Sequence, residues 1–170
     1  MKRSILIALV FLFAASFSSL AQQPNVAEAV FEKWKREAPA EEVSKLRFAL
    51  AAVARRTGDE MAELDLWAVG STPGVEVEIQ PLHIEKLLNG EYRQEQAGAP
   101  AKNSIGSRDS QNAAGDKTYM KFVFPVGPNA NALEIKWLGY AGGKVQYGHG
   151  IQVWLRNEPS EALTRVSGGQ

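Results

Sequence analysis

The chain contains no cysteine among its 170 residues. This absence excludes disulfide bonds, a thiol nucleophile, metal sites built from thiolates and a lipid attached to an N-terminal cysteine. The folded domain must therefore be held together by its core alone. Small secreted domains of an oxidising lumen often depend on disulfides, so their absence weakly favours a bacterial periplasm or the cell exterior.

The sequence also lacks an excess of charge, since 19 basic side chains balance 19 acidic ones. It has no basic run and no basic patch interleaved with aromatic residues, so it offers no electrostatic footprint for nucleic acid or an anionic membrane. Paired-histidine spacings, Gly-rich phosphate loops and a G-x-S-x-G elbow are missing as well. We therefore predict a protein without a cofactor, a metal site or a nucleic-acid partner.

One long apolar run is present, at the N-terminus. Lys2 and Arg3 precede an uninterrupted apolar stretch over residues 5–15, and Ser19 and Ala21 form a small-x-small cleavage signal. Eleven apolar residues are too few for a lasting membrane anchor. The sequence predicts a signal peptide over residues 1–21 and a periplasmic or extracellular protein, with an uncleaved N-terminal anchor as the alternative.

Two amphipathic helices are predicted at the start of the exported domain. The first begins at Asn25, which is suited to cap a helix, and ends at Pro39. The second is predicted between Glu41 and Gly58, because acidic residues precede an apolar stripe and basic residues follow it. The stripes are Ala27, Val30, Phe31 and Trp34 in the first helix, and Val43, Leu46, Leu50 and Val53 in the second.

Strands are predicted where apolar and polar residues alternate, over residues 62–69, 75–80, 118–126 and 133–155, the second returning against the first. Pro81 ends the second strand, and residues 82–88 either form a short helix or prolong that strand. Small and polar residues dominate 89–117, which predicts a mobile loop or disorder. The polar residues 157–170 predict a frayed tail after a single domain over 22–156.

This order of elements predicts an α+β fold, with two N-terminal helices packed on a curved antiparallel sheet of about five strands. A separate αα-hairpin is the alternative arrangement of the helices. The order is similar to that of cystatin-like, cone-shaped folds such as the NTF2-like and ketosteroid-isomerase-like proteins, where helices close one side of a curved sheet over a pocket. The resemblance implies such a pocket, but it includes no family motif and transfers no functional residue.

The last two strands are predicted to form a β-hairpin around Gly142 and Gly143. A three-residue turn over residues 141–143 would bring the apolar side chains of both strands to one face of the sheet. The predicted opposite pairs are Trp137 with Tyr147, Ile135 with His149, and Leu133 with Ile151.

The candidate ligand-binding residues are Trp137, Tyr147 and His149, which share the apolar face of this hairpin and would line a cavity on the helix side. Gly148 and Gly150 permit a close backbone approach beside His149. A partly buried imidazole can act as a base or contact a ligand. The alternative is a core histidine bonded to a carbonyl or a tyrosine, with the glycines marking a bulge.

A carboxylate pair is the second candidate feature. Glu76 and Glu78 project from one face of a strand, about 6.5 Å apart, which is near the separation of the two acids in an inverting glycosidase. The alternative is a solvated strand face. Asp65 on the neighbouring predicted strand adds to the negative charge, so Lys121 and Lys136 are expected nearby as counter-charges.

Four aromatic residues lie on the polar side of their predicted strands: Trp67, Tyr119, Tyr140 and Trp154. Together with Asp65 and the two glutamates, they predict a platform for a sugar or a peptide. The alternative is that a second layer, a loop or a dimer partner covers these rings.

The sequence thus predicts an exported domain that binds an unidentified small molecule or protein without catalysis. One alternative is a small cofactor-free hydrolase or isomerase that uses His149 or Asp65 as its base. Another is a structural subunit that forms a homodimer through the aromatic face.

Overall fold

The computed structural model describes residues 25–69, 74–106, 117–141 and 144–167; the predicted leader lies outside them. Within these ranges the helices are short, and none is long and apolar enough to cross a membrane. Strands form most of the rest. The elements are α1 (Val26–Glu37), α2 (Ala40–Ser44), β1 (Leu46–Gly58), β2 (Met61–Val69), β3 (Gly74–Lys86), β4 (Tyr92–Gln96), β5 (Ala101–Gly106), β6 (Lys117–Pro125), β7 (Ala132–Ala141), β8 (Lys144–Trp154) and β9 (Ser160–Ser167).

The described strands form two antiparallel sheets. The first sheet has the order β6-β2-β1-β9, and the second has the order β4-β3-β7-β8. Strand β5 also belongs to the second sheet, where it pairs with the first half of β3 while β4 pairs with the second half. β4 and β5 therefore follow one another along the same side of β3, opposite β7.

The two sheets pack face to face around one main core. Because side chains alternate along a strand, every second residue of each sheet points between the layers, and Leu50, Leu64 and Ile135 are fully buried there. The molecule is therefore a β-sandwich. Its core includes Phe48, Leu50, Ala52, Leu64, Leu66, Met120 and Phe124 from the first sheet, and Val77, Ile79, Leu133, Ile135, Trp137 and Val153 from the second.

The predicted α+β fold, with two helices on a single curved sheet of about five strands, is wrong, and with it the cone-like element order. The error starts at the second predicted helix, which shrinks to α2, while residues 46–58 form β1. Residues 48–54 are all buried because β1 has the sandwich core on one face and α1 on the other. A strand buried on both faces shows no alternation of apolar and polar residues. Its alanines have a high helix propensity, so the segment also fits the pattern of a helix.

Helix α1 forms a third layer on the outer face of the first sheet. The side chain of Asn25 accepts hydrogen bonds from the backbone N–H groups of Ala27 and Glu28, at 2.7 and 3.3 Å, which confirms the predicted N-cap. Ala27 and Phe31 are buried. They belong to a second core with Ala49, Ala51, Val53 and Trp67 of the first sheet.

The predicted C-terminal hairpin is confirmed, but its register is shifted by two residues. Trp137 pairs with His149, Ile135 with Ile151 and Leu133 with Val153. Only residues 142 and 143 separate the strands, and a bulge between Gly139 and Tyr140 supplies the extra residue on β8. A two-residue connection plus a bulge therefore brings the apolar residues to one face, as a three-residue turn would have done.

Strand β3 does not return against β2 as predicted; it crosses to the second sheet and pairs with β7. It also continues through Pro81 to Lys86, so the strand interpretation of residues 82–86 is correct and the helix interpretation is wrong. The connection over residues 70–73 lies outside the described residues. A strand that faces the core shows the same alternation in either layer. The sequence pattern therefore does not distinguish the pairing of β3 with β2 from its pairing with β7.

Two regions predicted to be unstructured contain strands. Within 89–117, β4 and β5 pair with β3, whereas residues 107–116 lie outside the described residues. The predicted tail contains β9, which pairs with β1 from Leu46 to Ala54. β4 is an edge strand whose five residues are all exposed, and β9 is the edge strand of the first sheet, so neither needs the continuous apolar pattern of a central strand.

Candidate functional site

A cleft of about 410 Å³ opens on the outer face of the first sheet, beside the N-terminus of α1. One row of paired residues crosses its floor: Lys121 of β6, Asp65 of β2, Val53 of β1 and Glu161 of β9. We call this concavity the Asp65 cleft. Its lining residues are Asn25, Val26, Val53, Arg55, Glu63, Asp65, Tyr119, Lys121, Pro159 and Glu161.

Asp65 is the buried ionisable group of this cleft, with only 8% of its surface exposed. Burial raises the pKa of its carboxyl above the ordinary value, because a carboxylate loses hydration in the cleft. The positive charge of Lys121 and a hydrogen bond from the Tyr119 hydroxyl act in the opposite direction but do not cancel the effect. Asp65 is therefore a carboxyl whose charged form is disfavoured by its burial in a concave site.

Glu63, two residues earlier on the same face, has the opposite environment. Nε and Nη2 of Arg55 donate to one of its carboxylate oxygens at 3.2 and 2.7 Å, and the ammonium group of Lys121 lies against the other oxygen. These hydrogen bonds, first from Lys121 and then from Arg55, lower the pKa of Glu63. The same contacts raise the pKa values of Arg55 and Lys121, so both cations are committed to Glu63.

The rim of the cleft is formed by α1 and β9. Asn25 is buried, and its amide group donates to the carbonyl of Leu66 at 3.4 Å, which fixes the start of the helix beside the sheet. Glu161 stands at the opposite side and is exposed. Among the described residues, no ion-pair partner of Glu161 is found.

The predicted platform does not exist as one surface, because its residues divide between two sheets. Asp65 and Tyr119 meet in the cleft, where the expected neighbour Lys121 is confirmed. Trp67 shares their face, but it is 9% exposed and packs under α1. The second layer predicted as the alternative therefore covers this ring.

The other platform residues belong to the second sheet. Trp154 is 43% exposed, with the guanidinium of Arg156 at 5.8 Å from its ring centre. Glu78 pairs across the strands with Lys136, the other expected counter-charge. Glu76 and Tyr140 occupy β3 and β7, but their side chains lie outside those described. The acidic pair and the cleft are thus on separate layers.

The predicted ligand-binding face of the hairpin points into the sandwich core, not toward the helices. Trp137 is 1% exposed and lies 6.3 Å from the ring of Phe48. Its indole N–H, although buried, has no hydrogen-bond partner among the side chains that the structure describes. Tyr147 and His149 lie on β8, and their side chains are outside those described, so their predicted roles stay predictions.

The other histidine, His83, has a structural contact. Its Nδ1 lies 2.8 Å from the carbonyl oxygen of Asn129, so this nitrogen carries the proton and donates it. A concavity of about 270 Å³ adjoins this residue. Across the described ranges, no three histidine, aspartate or glutamate side chains are placed to hold a metal ion.

Sequence reasoning missed Glu63, Arg55, Asn25 and Glu161 as parts of the cleft. The alternation of β2 places Glu63 and Asp65 on one face, so the sequence was sufficient to predict that Glu63 lies beside Asp65. The sequence pattern predicts a helix end at Arg55 and a frayed tail around Glu161. Their positions follow only from the pairing of β1 with β2 and β9.

Asp65 and Glu63 are expected to affect stability with opposite signs. A raised pKa means that the folded state holds the proton of Asp65 more tightly than the unfolded state does, so the charged carboxylate destabilises the fold above that pKa. Asp65→Asn should therefore raise the free energy of unfolding at neutral pH, by about 1 kcal/mol. This gain should disappear as the pH falls through the pKa of Asp65.

Glu63→Gln supplies the matched comparison on the same strand. The lowered pKa of Glu63 means that its stabilising contribution is present above the ordinary glutamate value and is lost at acid pH. The substitution should destabilise at neutral pH, by less than a buried pair would, because Arg55 and Lys121 are half exposed. Urea unfolding at neutral pH and at about pH 3 measures both variants; equal signs at neutral pH would contradict the two assignments.

No family model matches the chain, and no curated protein or solved structure matches it either.

Proposed function

We propose that this chain is an exported ligand-binding domain without catalytic activity, and that it binds a small molecule in the Asp65 cleft. The observation that carries the proposal is an aspartate, Asp65, that is nine-tenths buried as a residue and stands on the floor of an open concavity. Burying a carboxyl costs free energy unless a partner satisfies it. A fold maintains such a group most readily where a ligand makes use of it.

The size and chemistry of the cleft support this proposal. Small-molecule sites commonly occupy about 300–1,000 Å³ and combine apolar walls with a few convergent polar groups. The cleft has a volume of about 410 Å³. Val26, Val53 and Pro159 supply apolar surface, while Asp65 and Tyr119 supply hydrogen-bonding groups.

Export is the second part of the proposal, and the N-terminal sequence supports it. Lys2, Arg3, the apolar run over residues 5–15 and the signal ending at Ala21 form the three regions of a secretory leader. Removal of the leader before Gln22 would leave three residues before Asn25, which itself lies at the rim of the cleft.

The proposal is tested by NMR. The resonances of the residues that line the cleft are followed during titration with three probes that share a six-membered ring: cyclohexanol, cyclohexylammonium and cyclohexanecarboxylate. The full chain is expressed with its own leader, and the purified protein is weighed by mass spectrometry. We expect the mass of a chain whose first residue is Gln22. We also expect saturable chemical-shift changes at Asp65, Tyr119 and Glu161 with at least one probe. The expected dissociation constants are millimolar, since ligands of this size have few atoms.

Two variants locate the binding. Glu161→Trp places a large ring in the mouth of the cleft from an exposed position and should abolish the shifts. Glu158→Trp adds the same ring at an exposed position that does not line the cleft, and it should leave binding unchanged. Absence of saturable binding by all three probes, or equal loss in both variants, would overturn the proposed function.

A second candidate function is acid–base catalysis in the same cleft, with Asp65 as the proton-transferring group. The specific observation in its favour is the raised pKa of Asp65 beside the Tyr119 hydroxyl, since catalytic acids and bases are often tuned by burial. Hydrolysis of p-nitrophenyl acetate by the full chain, lost in Asp65→Asn but kept in Glu158→Gln, would favour this candidate. Equal background rates in all three proteins would exclude it for this ester.

A further inference from the structure

The positive charges around the Asp65 cleft are paired within the protein, whereas two of its negative charges have no salt bridge among the described residues. Its two cations, Arg55 and Lys121, both bond to Glu63. Three carboxylates face these two cations, so the lining carries one excess negative charge. Among the described residues, Asp65 and Glu161 are the two carboxylates of the lining that form no salt bridge with these cations.

Asp65 and Glu161 stand on opposite sides of Val53 in one row of the sheet. Neighbouring strands lie about 4.8 Å apart, so the backbones of these two residues are separated by roughly 10 Å. A small group seated over Val53 would therefore have a carboxylate on either side. Helix α1 bounds the row from above with Asn25 and Val26, neither of which is charged.

The carboxylate of Asp65 also retains hydrogen-bonding capacity. An ionised carboxylate accepts about four hydrogen bonds, and among the described side chains Tyr119 is the one that donates to it. Because Asp65 lines the cleft, its remaining acceptor positions are available to a ligand that carries N–H groups. An anionic ligand would meet this carboxylate as a like charge and would have to displace Glu63 from its two cations.

We infer that the ligand of the Asp65 cleft is a small organic ammonium ion whose N–H groups bond to Asp65 and whose apolar part rests on Val53 and Pro159. The inference rests on the proposed function, because it names the chemical class that this site binds. It is carried by the mixed lining, which has one excess negative charge, two carboxylates without a described salt bridge, two cations already paired with Glu63, and one neutral hydroxyl.

The same three probes test this class, because they share a ring and differ only in charge. Cyclohexylammonium is expected to bind at least tenfold more tightly than cyclohexanol, and cyclohexanecarboxylate to bind weakest. Asp65→Asn should reduce the affinity for cyclohexylammonium by about tenfold or more and leave that for cyclohexanol within about twofold. Glu161→Gln should reduce only the affinity for the ammonium ion, and less strongly, because Glu161 is exposed.

The outcomes separate the two proposals. If cyclohexanol or the carboxylate binds as tightly as the ammonium ion and Glu161→Trp blocks that binding, the cleft is a ligand site but the inferred class is wrong. If no probe binds, the proposed function itself fails. Glu158→Gln removes a nearby charge outside the cleft; a loss of ammonium binding equal to that of Asp65→Asn would reduce the effect to general surface charge and overturn the inference. Circular dichroism of each variant establishes that it is folded.

Discussion

Phe31→Ala is expected to lower the free energy of unfolding by about 3–5 kcal/mol, the usual cost of deleting a buried aromatic ring. Phe31 is 4% exposed on the inner face of α1 and packs with Ala49, Ala51 and Trp67 of the first sheet. The small alanines of β1 leave room for this ring, so its removal creates a cavity that the sheet is poorly able to fill. Urea unfolding followed by circular dichroism measures the loss.

Lys33→Ala is the matched control, because Lys33 lies on the exposed face of the same helix. It should change stability by no more than about 0.5 kcal/mol. Alanine favours the helix more than phenylalanine does, so helix propensity does not explain a loss in Phe31→Ala. The tryptophan fluorescence of the Phe31 variant should shift to the red, because the indole ring of Trp67 becomes exposed to water. Equal stability of the two variants would show that α1 is not a covering layer.

This covering helix explains why the fold differs from the one that the sequence predicts. Residues 48–54 need apolar side chains on both faces, one toward the second sheet and one toward α1. Such a run has no period of two, and its alanines fit a helix by propensity. The number of layers in the domain, which only tertiary packing determines, decides whether this segment forms a helix or a strand.

The sequence was informative where apolar and polar residues alternate along a strand. Strand β2 and the C-terminal hairpin were both predicted from alternation. The hairpin register was wrong because turn length and a bulge have the same effect on which side chains share a face. A face assignment therefore survives an error of two residues in register, whereas the predicted partner of each residue does not.

For the cleft, the sequence placed Asp65, Tyr119 and Lys121 on one face but not in a concavity. Alternation along β2 and β6 is a local property, so these neighbours were predictable. The burial of Asp65 depends on the start of α1 and on β9 reaching the same row. Those contacts join segments about 40 to 100 residues apart in the chain, and local patterns contain no information on them.

Arg56→Ala is expected to be the second most damaging substitution, with a loss of about 3 kcal/mol. The guanidinium of Arg56 donates to the carbonyl oxygens of Gly127 and Pro128, each at 3.1 Å, and to those of Asp59 and Ala130. These carbonyls belong mainly to the connection by which the chain passes from β6 in the first sheet to β7 in the second. Hydrogen bonds from a charged donor contribute more than neutral ones, and here one side chain bonds to four acceptors, three of which share the two N–H groups of Nη2.

The alanine variant should therefore loosen the crossover between the sheets as well as lower stability. Amide hydrogen exchange at Val126 and Ala130, whose N–H groups bond to Glu60 and Gly127, should become faster, while exchange in the middle of β7 should follow global stability alone. Arg47→Ala, an exposed arginine on the same strand, is the control and should be nearly neutral. Arg56→Lys keeps the charge but not the planar fork of donors, so it should recover only part of the loss. Full recovery by lysine would show that charge, and not the shared bonding of four carbonyls, joins the crossover to β1.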